Sequence, residues 1–262
     1  MVMLSKVYLI IDHQRNCLAE MQLINLLSTS NSIQCQKFLT DINPHFLEYI
    51  TVIYCYSSEP NYKFDTDFIN LINQNKINSC IPYKNGLLII TSYNKSYINS
   101  IDSIINYFIN IIKNNINKSI IGISNNFINL INAKEAISQA ILCCTSSSLC
   151  NNSIVRYSSL GALSLLFSFK DTNEAKILYK NIIDPIIIYD ERYNKDLLIT
   201  LITFVECSGD FKLTAHKIFQ HENTVRYRIL KIKSILGLEN SNIEFYERIS
   251  IGVKLHKIYN QI

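Results

Sequence analysis

The chain has 262 residues, 48% hydrophobic and 18% charged, which excludes an intrinsically disordered protein and leaves room for two domains. Its net charge of +4 and pI of about 8.5 are compatible with nucleic-acid binding but too mild to argue for it alone. No apolar run approaches the ~20 residues of a membrane span, and no basic region followed by a cleavable apolar segment is seen at the N-terminus, so a cytoplasmic protein is expected.

Residues 3–28 read either as a strand at Val7–Ile11 or as a longer helix carrying Leu4, Val7, Ile11, Leu18, Met21 and Ile24. Helix formers such as Gln14, Arg15, Ala19, Glu20 and Gln22 favour the helix, which either forms dimers or packs on its own domain. A second short helix covers Ile33 to Leu39. Tyr49–Tyr56 is a β-rich run, and Asp65 to Asn73 reads as a helix. Ser79–Tyr83 and Leu87–Thr91 flank Lys84-Asn85-Gly86, and Asn-Gly between two such runs is a strong hairpin signal. Ile98, Ile101, Ile105, Phe108 and Ile112 form a helical stripe, Ser119–Ser124 a strand, and Leu130, Ala133, Ile137, Ile141 and Cys144 another stripe. Ser146–Ser153 reads as a polar loop and Ile154–Tyr157 as an edge strand. The order β-α-β-β-α-β-α is that of a ferredoxin-like or nucleotide-cyclase-like sandwich.

Leu160–Phe167 reads as an apolar helix, and Asp171-Thr172-Asn173-Glu174 as a capping box opening a helix that runs through Ile182 and ends at Asp184-Pro185. Three helices follow. Leu197, Leu198, Leu201, Ile202 and Val205 give the first one an apolar face, broken at Ser208-Gly209, with Asp210 placed to cap the second. Leu213, Ala215, Ile218 and Phe219 belong to that second, short helix. After Gln220-His221-Glu222, Asn223 is placed to cap a third, whose Val225, Ile229, Ile232 and Leu236 share a buried face. Two short helices joined by about three residues have the form of a helix-turn-helix. Asn223, Thr224, Arg226, Tyr227 and Lys231 lie away from the buried stripe and offer the groups used for phosphate and base-edge contacts. Arg228 sits at the margin. Leu230 also points outward, which a purely polar DNA face does not need. From Lys212 to Lys233 six Lys or Arg stand against one acidic residue, Glu222. Ser241-Asn242-Ile243-Glu244 fits a capping box for a last helix with Ile249, Val253 and Ile258 inward.

The residues Thr200, Leu201, Thr214, Ala215, Ile218, Phe219, His221, Asn223, Thr224, Val225, Tyr227, Arg228 and Ile229 carry a specific likeness. This stretch resembles the C-terminal helix-turn-helix of the purine-catabolism and sugar-diacid (PucR/CdaR-like) regulator family. The resemblance implies a transcription regulator binding double-stranded DNA as a homodimer; the matched residues together with the outward cations of the third helix give the expected contacts Thr214, His221, Asn223, Thr224, Arg226, Tyr227, Arg228, Lys231 and Lys233. It also implies an N-terminal α/β domain that is either a degenerate sensor for a small-molecule effector or an oligomerisation module. Gly122-Ile123-Ser124-Asn125 with Ala136, Gln139 and Ala140 is similar to the end of the degenerate cyclase-like (GGDEF-like) domain that often precedes that helix-turn-helix. In the active cyclase the hairpin carries metal-binding carboxylates, whereas here it reads Lys84-Asn85-Gly86-Leu87-Leu88, and the strand Ile50–Tyr56 has no Asp.

The expected fold class is therefore an α+β N-terminal domain, a degenerate cyclase-like or ferredoxin-like sandwich, followed by an all-α helix-turn-helix domain. The expected division is a helical segment at 1–46, the α/β domain at 47–157, a helical connector at 158–190 and the DNA-binding domain at 191–262. Eight cysteines without a C-x-x-C pair read as reduced, mostly buried thiols, and Cys143-Cys144…Cys150 lacks zinc-type spacing, so neither metal nor cofactor is expected. His13, His45, His216, His221 and His256 are scattered and assemble no Ser-His-Asp or Cys-His constellation, so no enzyme is expected. The competing readings are a nucleotide-binding or cyclase-like signalling enzyme with an accessory helix-turn-helix, and a protein-interaction module.

Overall fold

The computed structural model describes residues 17–260, so the readings placed on Leu4, Val7, Ile11, His13, Gln14 and Arg15 lie outside the described residues. The chain forms two compact units that part between Gly161 and Ala162.

In the first unit, a helix over residues 17–28 (α1) and α2 (Ser32–Ile42) precede β1 (Tyr49–Ser57), α3 (Thr66–Asn73), β2 (Asn78–Tyr83), β3 (Gly86–Tyr93), α4 (Ile101–Asn115) and β4 (Ser119–Ile123). A two-residue β5 (Phe127–Ile128), α5 (Ala133–Thr145), a single turn α6 (Ser147–Cys150) and β6 (Ile154–Arg156) complete it. The α6 turn replaces the polar loop expected there. Side chains cap α2 and α3: the Asn31 carboxamide accepts from Ile33 and Gln34, and the Asp65 carboxylate accepts from Asp67.

The sheet order is β2-β3-β1-β4-β6, with β5 paired to β1. Strands β2/β3, β3/β1 and β1/β4 pair antiparallel, and β6 adds a parallel edge beside β4. The four-strand core is thus the ferredoxin-like split βαβ arrangement expected from element order. Pro82 is tolerated because β2 is an edge strand.

Alternation along β1 explains why nearly all of it is buried. Ile53 and Cys55 face a core made with α3 and α4, and Ile50, Val52 and Tyr54 face a second core made with α1, α2 and α5. The sheet is therefore covered on both faces. Leu23 and Leu26 of α1 are fully buried in the second core, so the described part of the N-terminal helix packs on its own domain. Leu18, Met21 and Ile24 remain exposed on its other side.

The hairpin between β2 and β3 forms, but its turn is Lys84-Asn85, with Tyr83 paired to Gly86. Lys84 takes the positive φ (51°) expected of the glycine. Gly86 serves close approach instead: a Cβ there would stand 2.5 Å from the Cys55 carbonyl oxygen of β1.

The second unit is helical: α7 (Ala162–Phe169), α8 (Asn173–Ile182), α9 (Asp184–Tyr193), α10 (Leu197–Glu206), α11 (Phe211–Lys217), α12 (Glu222–Leu236) and α13 (Asn242–Tyr259). Thr172 and Ser241 cap α8 and α13 as the two capping boxes lead one to expect. Asp184-Pro185 does end α8, but it also opens α9, because proline in a first helical turn forfeits no intrahelical bond. Ile182, Ile183 and Ile186 from α8 and α9 share one core with Leu201, Phe204, Val225, Ile229, Ile232 and Phe245.

Candidate nucleic-acid interface

Helix α10 begins on a carboxylate from the preceding helix. Asp190 accepts from Leu197 N at 2.9 Å and from Leu198 N at 2.8 Å, satisfying two orphan amides. The helix stops where Ser208 (φ 55°) and Gly209 (φ 81°) turn left-handed. Asp210 then caps α11, its carboxylate accepting from Leu213 N at 2.9 Å.

Thr214 and Ala215 are buried where α11 meets its neighbours. The Thr214 hydroxyl donates back to the Asp210 carbonyl, so this expected contact residue faces the interior. Small Ala215 permits the close approach of the helices. Leu213 lies on α11 as expected and is 56% exposed, whereas Phe219, expected in the same helix, falls beyond its end and is 91% exposed. The helix ends at Lys217, and Phe219 sits in the turn at φ 53°.

The cap of α12 differs from expectation. His221 rather than Asn223 is the N-cap: its Nδ1 accepts from Asn223 N at 3.2 Å, and Asn223 lies exposed in the first turn. Gly237, at φ 66°, closes the helix. Val225, Ile229 and Ile232 are buried as the apolar stripe requires. Asn223 and Tyr227 are exposed on the outer side and Thr224 is half-buried.

The cations are more engaged than sequence spacing implies. Arg226 places Nε 3.0 Å and Nη2 2.6 Å from one carboxylate oxygen of Glu222 and lies 4.3 Å over the Phe211 ring. Arg228 turns inward: Nη1 donates to Thr200 Oγ1 at 3.0 Å and Nη2 to the Asp196 carboxylate at 3.1 Å, with only 14% of its side chain exposed. Lys231 Nζ lies 5.1 Å from the centre of the Tyr189 ring. Lys233 donates to Asn242 Oδ1 and sits over Phe245. Arg228 and Thr214 thus brace the three-helix unit, while Asn223, Thr224 and Tyr227 remain the polar groups on the outer side of α12.

The first unit holds a cleft of about 770 Å³ at the end of β1 beside the hairpin. Tyr56, Tyr62, Phe64, Lys63, Lys84 and Asn85 are among its lining residues. No group of three or more metal-ligating side chains is assembled among the described residues. Burial pushes the Cys55 and Cys143 thiols up to about 12. The described cysteines are all free, and Cys17 alone of them is exposed. No described helix is long and apolar enough to cross a membrane.

Among solved structures, the crystal structure of a regulator of polyketide synthase expression from Bifidobacterium adolescentis is similar over 93% of each chain, at 13% identity and a TM-score of 0.43. No curated protein matches the chain. A family model described as the PucR C-terminal helix-turn-helix domain matches residues 197–255, the span from α10 into α13. With its buried Thr214-Ala215 corner, His221-capped third helix and Gly237 stop, this part of the chain is a PucR-type helix-turn-helix domain.

Proposed function

We propose that the protein is a transcription regulator that binds double-stranded DNA as a homodimer, with α12 in the major groove. The observation that carries the proposal is the PucR-type match over residues 197–255 together with the outward Asn223, Thr224 and Tyr227 on α12. These three lie in the first turns, where recognition helices meet base edges. Arg226, Lys231 and Lys233 flank them as cations for phosphates, and His221 stands at the same helix end as Asn223. Thr214 and Arg228 serve the domain's own architecture.

A dimer places two such helices about one turn, ~34 Å, apart on DNA. The exposed Leu18, Met21 and Ile24, at three-residue spacing on α1, support self-association through the first unit. That unit reads as a cyclase-like domain turned sensor. Its hairpin offers Lys84 and Asn85 where a cyclase needs metal-binding carboxylates, and the neighbouring cleft has the size of a small-molecule site. Incubation with GTP and magnesium is expected to yield no cyclic product.

The test is DNA binding by the full chain against the Arg226→Ala, Lys231→Ala double variant at several salt concentrations. The variant should bind specific and random duplexes more weakly and with a shallower salt slope, by roughly one unit per lost phosphate contact. Unchanged affinity and slope in a folded variant would remove α12 from the DNA.

A further inference from the structure

The most exposed apolar side chains of α12 do not lie at its edges. Taking about 100° per residue, Asn223, Tyr227, Leu230 and Ser234 fall within about 60° of one another, opposite the buried Val225, Ile229 and Ile232. Tyr227 is 67% exposed and Leu230 64% exposed. The cations stand to either side of this strip, Arg226 against Glu222 and Lys231 against Tyr189. The centre of the outward face is therefore an amide, a phenol ring and a branched aliphatic chain. From Asn223 to Leu230 is ~10 Å of helix axis, or about three base-pair steps.

A leucine has neither charge nor hydrogen bond to offer a phosphate, and contact with a sugar would carry no sequence information. Among base edges in the major groove, the C5-methyl of thymine is the apolar group, and Asn pairs bidentately with adenine N6 and N7. We propose that Leu230, together with Tyr227, reads thymine methyl groups, and that the half-site is built of A·T pairs with Asn223 on an adenine; this rests on the major-groove reading above.

The test begins by letting the full chain select duplexes from a random library. Each selected site is then remade with deoxyuridine for thymine, one position at a time. The exchange deletes the 5-methyl group and keeps every hydrogen-bonding edge. Wild type should lose affinity about fourfold for each methyl that is buried. Leu230→Ala should bind the thymine and uridine duplexes equally at one position, while Leu230→Met keeps the difference. Should Leu230→Ala fail to fold, the wild-type comparison still decides, since it needs no variant. Equal binding of both duplexes by wild type, or selected sites lacking A·T pairs, overturns the inference and leaves the major-groove reading standing. Selection of no DNA overturns both. Loss of self-association in Leu230→Ala, measured by sedimentation without DNA, assigns Leu230 to a contact between copies and also overturns the inference.

Discussion

The guanidinium of Arg226 donates twice to a single carboxylate oxygen of Glu222, from Nε at 3.0 Å and from Nη2 at 2.6 Å. The pair lies one helical turn apart at the start of α12, and Glu222 is the acidic exception in a basic stretch. Any phosphate that engages Arg226 must compete with this carboxylate, which favours the helix N-terminus through the macrodipole.

Glu222→Gln should consequently strengthen binding to random DNA, by about 1 kcal/mol at low salt, and steepen the salt slope by roughly one unit. Adding Arg226→Ala to it should cancel the gain. Fluorescence anisotropy across a salt series measures both. Weaker sequence preference in Glu222→Gln with no change in slope would instead put Glu222 itself on a base, as an acceptor from cytosine N4.

Arg228 should behave differently from its neighbour. Its bonds to Thr200 and Asp196 tie α12 to the start of α10, so Arg228→Ala is expected to destabilise the helical unit by about 1–2 kcal/mol. Below its melting temperature the variant should keep the wild-type salt slope. A thermal melt followed by circular dichroism, set beside the binding series, separates the two roles. An unchanged melt with a slope shallower by one unit would place Arg228 on phosphate.

Gly122→Ala tests the packing of α5 on the sheet. A Cβ at this position of β4 would stand 2.1 Å from the Ala140 carbonyl oxygen and 2.7 Å from the Cys144 amide nitrogen, both backbone. Neither can yield without moving the helix, so a loss of about 3 kcal/mol is expected in urea unfolding of the full chain. A loss below about 1 kcal/mol would mean that α5 sits farther from β4.

His256 is expected to contribute to the loss of stability of the helical unit in acid. Its ring stacks on Tyr179, whose hydroxyl lies 3.2 Å from Nδ1, and burial lowers its pKa below the ordinary 6.5. The unfolded chain therefore takes up a proton near pH 6.5 while the folded one resists until lower pH. The stabilisation is complete above pH 6.5 and is lost as pH falls through the lower, folded value. Melting temperature measured from pH 7.5 to 5 should fall more steeply for wild type than for His256→Gln. Parallel curves would show that other groups govern the acid limb.

Local signals in the chain were enough to read the element order of the α/β unit, the hairpin, the capped helices α8 and α13, and the three-helix segment matched as PucR-type. They are period two in β1, period 3.6 in α4, α5 and α12, and caps within three residues of the amides they satisfy. Which groups are left over for function depends instead on packing between distant segments. Lys231 reads as an outlying cation and Arg228 as one at the margin of the buried face, yet Arg228 is spent on Asp196, thirty-two residues away, and Lys231 lies over Tyr189, forty-two residues away. Helical periodicity assigns a face but cannot name the partner that crosses to it. The Gly122-Ile123-Ser124-Asn125 stretch shows the same division. It is legible as a motif, but its reason is spatial: Gly122 admits α5, the Ser124 hydroxyl accepts from Val52 N, and Gln139 accepts from Asn125 N. Apolar spacing assigns Phe219 to the second helix, but α11 ends at Lys217 and Phe219 turns to positive φ in the break that follows, a stop that such spacing does not mark.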